Sequence, residues 1–215
     1  MKNVASKSCG MVRLAWLCSC LFVLAISSAS AHAAATGFLY ALNDNATGDS
    51  IYGFSVNEGT GALTAIPGSP FATGGNGSGS LVSERLVVDR LNGRLYAINA
   101  VSNTVSAFTI NPTTGSLTPL PFSPISLGAG GWITMAVHPS GSPLVVGGSG
   151  NLASFNITAT TATAAAGSPF TTGTAGPFSA TFSQDGSYVY TGGDSGTRFA
   201  GFSVNASTGV LTALT

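Results

Sequence analysis

Three series of short segments return along the chain at near-constant spacing, and this echo restricts the fold more than any other feature. FLYALN at Phe38, RLYAIN at Arg94, SPLVVGG at Ser142 and SYVYTGG at Ser187 form the first. YGFSVNEGTGALT from Tyr52, SAFTINPTTGSLT from Ser106, ASFNITATTATA from Ala153 and AGFSVNASTGVLT from Ala200 form the second. Its phenylalanines, Phe54, Phe108, Phe155 and Phe202, stand 54, 47 and 47 residues apart. RLVVDRLNG from Arg85, TMAVHPSG from Thr134 and SATFSQDG from Ser179 form the third, each just ahead of a member of the first. A period of this length marks a supersecondary unit that buries its apolar surface only against its neighbours.

Within each copy the pattern is that of short strands. Apolar residues run together or alternate by two, 29 glycines and 10 prolines interrupt them, and only 7% of the residues are charged, which excludes a helical repeat. Each full copy divides into strands A to D, from the inside outward. A and B join at Asn92-Gly93, Ser140-Gly141 and Asp185-Gly186, where glycine takes the positive φ of a tight turn. C and D join at turns carrying Gly61, Gly115 and Gly209. A four-stranded antiparallel meander of roughly 45 to 50 residues is the blade of a β-propeller. The expected fold is therefore all-β, a partial propeller of about four blades over 37–72, 84–125, 132–170 and 178–215. A β-sandwich has comparable turns without the long echo.

The first copy lacks a strand A, unless 33–36 supplies a poor one, and the last stops at LTALT. Both features lead us to expect a portion of a larger ring, with open blade faces that pair with further blades or with another chain. Such a face exposes several hundred Å², worth on the order of 10 kcal/mol. LTAIPGSPF from Leu63, LTPLPFSPI from Leu117 and AAAGSPF from Ala164 read as strand D and its exit, with Pro67 and Pro70 ending the pairing at an edge.

Lys2, Lys7 and Arg13 precede an uncharged apolar run from Leu14 to Ile26 and small residues up to Ala33. This is the pattern of a secretory signal over 1–33, so the chain is expected to be exported, periplasmic or extracellular. All three cysteines, Cys9, Cys18 and Cys20, fall in that segment, and the remainder must hold together without disulfides. Beyond it four arginines face seven carboxylates, a net charge of −3 with no lysine. That balance lacks the footprint of a nucleic-acid binder. No second apolar run is long enough for a membrane span, no cysteine and at most two histidines remain for a metal, and no cofactor motif is present. GGNGSGS from Gly74 lacks the Gly-Lys-Ser/Thr ending of a phosphate loop and reads as a flexible insertion.

HPSG at His138, GRLYAINAVSNTVSAFTINPTTGSLTPL from Gly93 and PGSPF at Pro67 together resemble the lactonase-type seven-bladed propellers, similar to 6-phosphogluconolactonase, and the related YVTN-repeat surface propellers. The resemblance runs from Phe38 to Thr215. It implies seven blades, of which roughly three would be missing. It also implies either an exported lactone hydrolase or a non-catalytic propeller that binds a partner or a cell-envelope ligand. Such lactonases tend to open an inner strand with Pro-His-x-His. Here the comparable residues are Pro177, Phe178, Ser179 and Ala180, so either the catalytic blade lies elsewhere or the chain is not a lactonase.

The meander places the B–C and D–A connections on one face of the disc, with Asp44, Asp49, Glu84, Arg85, Trp132, Asp194 and Arg198. The other face holds Glu58, Asp89, Arg90, Arg94, His138 and Asp185. Opening a lactone needs a base for water, a donor for the oxyanion and a dry pocket. Glu84 and Arg85, where an inner strand starts, are the catalytic candidates, with a mutual ion pair as the plainer reading. Asp194, Arg198 and Trp132 are candidates for binding a small lactone or carbohydrate, Trp132 by stacking or else as a plug between blades. His138 shares its position with Asp89 and Ser183 and reads as a turn partner. A phosphorylated lactone fits poorly with four arginines and no lysine.

Overall fold

The computed structural model describes residues 36–79, 84–173, 176–193 and 199–215. The expected signal segment, and with it Asp194 and Arg198, lies outside the described residues. The described regular elements are all strands, arranged in four antiparallel sheets that follow one another along the chain. Blade 1 comprises β1 (Thr36–Leu42), β2 (Ser50–Asn57), β3 (Leu63–Ala65) and β4 (Phe71–Ala72). Blade 2 comprises β5 (Leu86–Asp89), β6 (Arg94–Asn99), β7 (Thr104–Ile110), β8 (Leu117–Pro119) and β9 (Ile125–Ser126). Blade 3 comprises β10 (Trp132–Val137), β11 (Leu144–Gly148), β12 (Asn151–Ile157), β13 (Ala162–Ala164) and β14 (Phe170–Thr171). Blade 4 comprises β15 (Pro177–Phe182), β16 (Tyr188–Gly193), β17 (Phe199–Val204) and β18 (Leu211–Ala213).

Of the stretch 33–36 considered as an inner strand for blade 1, residues 33–35 lie outside the described residues. Thr36 opens β1, which pairs with β2 as a second strand would. The outer strand differs from expectation in a more instructive way. Pro-Gly-Ser-Pro is not an exit from the sheet. β8 pairs with the far half of β7, the chain loops out, and β9 returns to pair with the near half of the same strand. β3 with β4 and β13 with β14 repeat this arrangement. The loop deprives one central backbone amide of its partner, and a serine replaces it. Ser69 Oγ accepts from Gly53 N at 2.9 Å, Ser123 Oγ from Ala107 N at 2.9 Å, and Ser168 Oγ from Ser154 N at 2.9 Å. The recurring serine therefore closes the sheet's hydrogen-bond ladder, and a proline, which donates nothing, follows it at the edge.

Strand alternation sends successive side chains to opposite faces. Leu95 and Ala97 of β6 meet Ile51 of blade 1, whereas Tyr96 and Ile98 meet Leu144 and Val146 of blade 3. Val145 and Leu152 then meet Val189 and Phe202 of blade 4. These side chains are nearly all fully buried, each stabilising by about 1.5–3 kcal/mol. Polar pegs fix the rotation of blade 1 on blade 2 and of blade 3 on blade 4. Tyr40 Oη donates to Gly115 O at 2.6 Å, Ser106 Oγ to Thr73 O at 2.7 Å, and Ser154 Oγ to Gly209 O at 2.7 Å. Burial pushes the Tyr40 phenol up to about 12, so this peg keeps its proton throughout the neutral range. Gly115, at φ +73°, has no room for a Cβ, which would come within 2.5 Å of the Phe38 ring.

Ser168→Ala leaves the Ser154 amide without its acceptor. A loss of about 1–2 kcal/mol is expected in urea unfolding, and an unchanged midpoint would contradict the assigned role of the serine.

Candidate functional site

The inner strands β5, β10 and β15 converge on one groove of about 510 Å³. Leu86, Met135, Ala136 and Phe182 give it apolar walls, and Glu84 stands at one end. Glu84 adopts φ 69°, a left-handed conformation uncommon for a residue with a Cβ. Its neighbours account for the geometry. Oε2 accepts from Thr134 Oγ1 at 2.7 Å and from Ala180 N at 3.3 Å, and the Glu84 carbonyl accepts from Met135 N at 3.2 Å. One residue at the head of blade 2 thus holds the heads of blades 3 and 4. Among the described residues none donates to Oε1 and none forms an ion pair with Glu84.

Arg85 points the other way, so the mutual pair expected for Glu84 and Arg85 does not form. The guanidinium, 4% exposed, donates from Nη1 to Asp44 Oδ2 at 2.5 Å and to Ser78 Oγ at 2.6 Å. Ser78 N donates in turn to Asp44 Oδ1 at 3.0 Å. The partners come from the loop after β1 and from the glycine-rich stretch, which is not a flexible insertion. Gly75 N donates to Thr73 Oγ1, Asn76 N to Ser102 Oγ, Gly77 N to Asn45 O and Gly79 N to Asp44 O. A Cβ on Gly77 would lie 2.4 Å from the Asp44 carbonyl carbon, so the glycines let the loop wrap around the carboxylate. A second cavity of about 280 Å³ lies between β1 and β5, and Glu84 and Arg85 line it together with Tyr40 and Asp44. Arg85 is neutralised in place, and among the described residues Glu84 is left as the uncompensated charge lining both cavities.

Trp132 lies 2% exposed in the core between blades 2 and 3, its indole N–H donated to Gly128 O at 2.8 Å. It fills the blade seam, away from the groove surface. His138, 7% exposed, also serves a seam. Ser140 N donates to Nδ1 at 3.1 Å, which leaves the proton on Nε2 to be donated to Gly186 O of blade 4 at 3.1 Å. Phe182 meets the imidazole edge-on at 5.2 Å. A Cβ on Gly186 would fall 2.0 Å from Nε2. Asp49, just ahead of β2, is buried, and burial raises its carboxyl above its ordinary value. On the opposite face the Ser183 and Ser187 hydroxyls donate to Asp185 at 2.6 and 2.7 Å and draw its carboxyl down to about 2.

No protein-family model matches the sequence, and no curated protein does. Solved structures do match. A 6-phosphogluconolactonase candidate from Bacteroides fragilis superposes with a TM-score of 0.65 at 18% identity, over 83% of this chain and 52% of its own. The periplasmic gluconolactonase of Pseudomonas aeruginosa gives 0.60 at 16% identity, over 83% and 50%. A Lactobacillus plantarum protein gives 0.56 at 20% identity, over 82% and 51%. The chain has a lactonase-like propeller fold. It spans about half the length of these neighbours.

Sequence reading picked out Glu84 and Arg85 without their partners. Asp44 and Ser78 are 41 and 7 residues from Arg85, and Thr134 is 50 from Glu84; the length of the glycine-rich stretch was the one visible sign of a built loop. Asp44→Asn strands a buried guanidinium, and a loss of about 3 kcal/mol is expected in urea unfolding; an unchanged midpoint would contradict the pairing. Asp185 has a folded pKa below the unfolded value of about 3.9. Its contribution is therefore complete above pH about 4 and disappears as pH falls toward about 2. Thermal midpoints of wild type and Asp185→Asn should differ at pH 6 and converge below about pH 2; a constant difference would refute the assignment.

Proposed function

We propose that the chain forms the ligand groove of an exported lactonase-like propeller that opens an unphosphorylated sugar lactone, with Glu84 as base. The observation that carries this reading is the state of the Glu84 carboxylate. One oxygen is held by two donors from neighbouring blades, and the other receives no hydrogen bond from the described residues at the mouth of an apolar groove of about 510 Å³. Oε1 takes a proton from water as the water oxygen bonds to the lactone carbonyl carbon. The ring C–O bond then breaks, and the departing alkoxide recovers the proton, giving the open hydroxy acid. Leu86, Met135 and Phe182 exclude bulk water around the ring, which strengthens the influence of the carboxylate.

The charge balance supports a neutral substrate. Arg85 is occupied by Asp44, and among the described residues a phosphate at this mouth would meet Glu84 instead of a free cation. The fold shared with a periplasmic gluconolactonase supports both the substrate class and export, as does the signal-like segment over 1–33. A second reading, a non-catalytic extracytoplasmic propeller of the YVTN type binding a carbohydrate or an envelope component, is favoured by one observation. The His138 imidazole is committed to the blade seam, which removes the only ring base among the described residues.

Titrating the acid released from glucono-lactone and aliphatic lactones, with the full chain and with Glu84→Gln, separates the readings. Turnover by the wild type and a fall of about 10²–10⁴ in the variant is the expected result. Equal rates would remove Glu84 as base. No turnover, with saturable binding of a sugar by calorimetry that Glu84→Gln weakens, would establish the second reading in place of the first.

A further inference from the structure

The groove headed by Glu84 is longer than one lactone ring. Its lining continues down the inner strands to Pro139 of blade 3 and Gln184 of blade 4, in the A–B turns on the opposite face. Ala180 to Gln184 spans about 13 Å at the rise of an extended strand. A ring with its carbonyl at Glu84 fills the upper half of that length. The lower half, between Val137, Phe182 and Gln184, takes whatever the ring carries.

Two kinds of surface alternate there. The Val137 and Phe182 side chains are apolar, and main-chain groups at the inner edges of β10 and β15 lie between them. His138 N donates to Pro143 O and Ser183 N to Tyr188 O, each toward the second strand of its own blade. Successive amides of an edge strand point opposite ways, so those of Val137 and Phe182 face the channel. The amides of Met135 and Ala180 do so one step higher, where they donate to the Glu84 carbonyl and carboxylate. Among the described residues no acceptor meets the Val137 or Phe182 amide.

A pyranose matches this alternation, with apolar C–H faces and hydroxyl oxygens around its edge. An alkyl chain would cover both amides without supplying an acceptor, and an anion would find no cation among the described lining residues. We infer that the substrate is the lactone of a disaccharide. The lactone unit sits against Glu84, and the glycosyl unit it carries lies below, accepting from Val137 N and Phe182 N and reaching Gln184 at the foot. The choice of which unit is the lactone rests on the reading of Glu84 as base; the fit of two linked rings rests on the groove alone.

Two measurements on the full chain keep these apart. In acid-release assays, the lactone of cellobionic or of maltobionic acid is expected to exceed glucono-lactone in kcat/KM by at least about tenfold, through KM, and Gln184→Ala to narrow the ratio about fivefold. In amide-resolved NMR, cellobiose or maltose should shift the Val137 and Phe182 amides and slow their exchange, saturating at a concentration at least about tenfold below that required with glucose. Saturable amide shifts without turnover of any lactone would uphold the two-ring groove and overturn only the role of Glu84. Equal kcat/KM for the two classes of lactone, an unchanged ratio in Gln184→Ala, or amides that neither disaccharide perturbs would each overturn the inference.

Discussion

A four-stranded sheet that is apolar on both faces has no stable existence alone, and this requirement shapes the rest of the molecule. β6 and β11 are buried on both faces along nearly their whole lengths, so alternate side chains of one strand belong to different cores. Val145 packs with blade 4 and Val146 with blade 2. Apolar contact supplies most of the stabilisation but little orientation, and the pegs from Tyr40, Ser106, Ser154 and His138 supply the orientation. Each peg donates to a backbone carbonyl of a neighbouring blade. Two of the acceptors sit on turn glycines of the C–D connections, Gly115 and Gly209, and another on Gly186, where a side chain would block the approach.

The candidate site is a consequence of the same stacking. Inner strands held close enough to share a core bring Glu84, Thr134 and Ala180 together at one mouth, and they leave a groove between apolar walls. Arg85 and Glu84 divide the mouth between them. The cation is consumed in tying blade 1 to blade 2, and the carboxylate is fixed by blades 3 and 4. Among the described residues the charge left uncompensated at the head of the apolar groove is the Glu84 carboxylate.

The blades were legible because the echo, the turn glycines and the apolar runs are local properties of the chain. What escaped was everything that depends on the approach of one copy to another. The serine of Pro-Gly-Ser-Pro looked like part of an exit, because its role is defined by an amide 14 to 16 residues upstream on the neighbouring strand. The glycine-rich stretch looked flexible by composition, yet its glycines are there to approach Asp44 and Asn99 closely. Glu84 and Arg85 looked like a pair because they are adjacent, although the left-handed turn at Glu84 sends their side chains to different blades. Trp132, a candidate for stacking on a ligand, fills a seam because the close passage of Gly130 beside its ring covers it.

Methyl-to-methyl nuclear Overhauser contacts in a protein labelled at Ile, Leu and Val test the blade stacking most directly. The account predicts contacts from Val146 and Leu144 to Ile98 and Val105 of blade 2, and from Val145 and Leu152 to Val189 of blade 4. If Val145 and Val146 both contacted blade 2, or neither contacted another sheet, radial stacking of these sheets would be wrong.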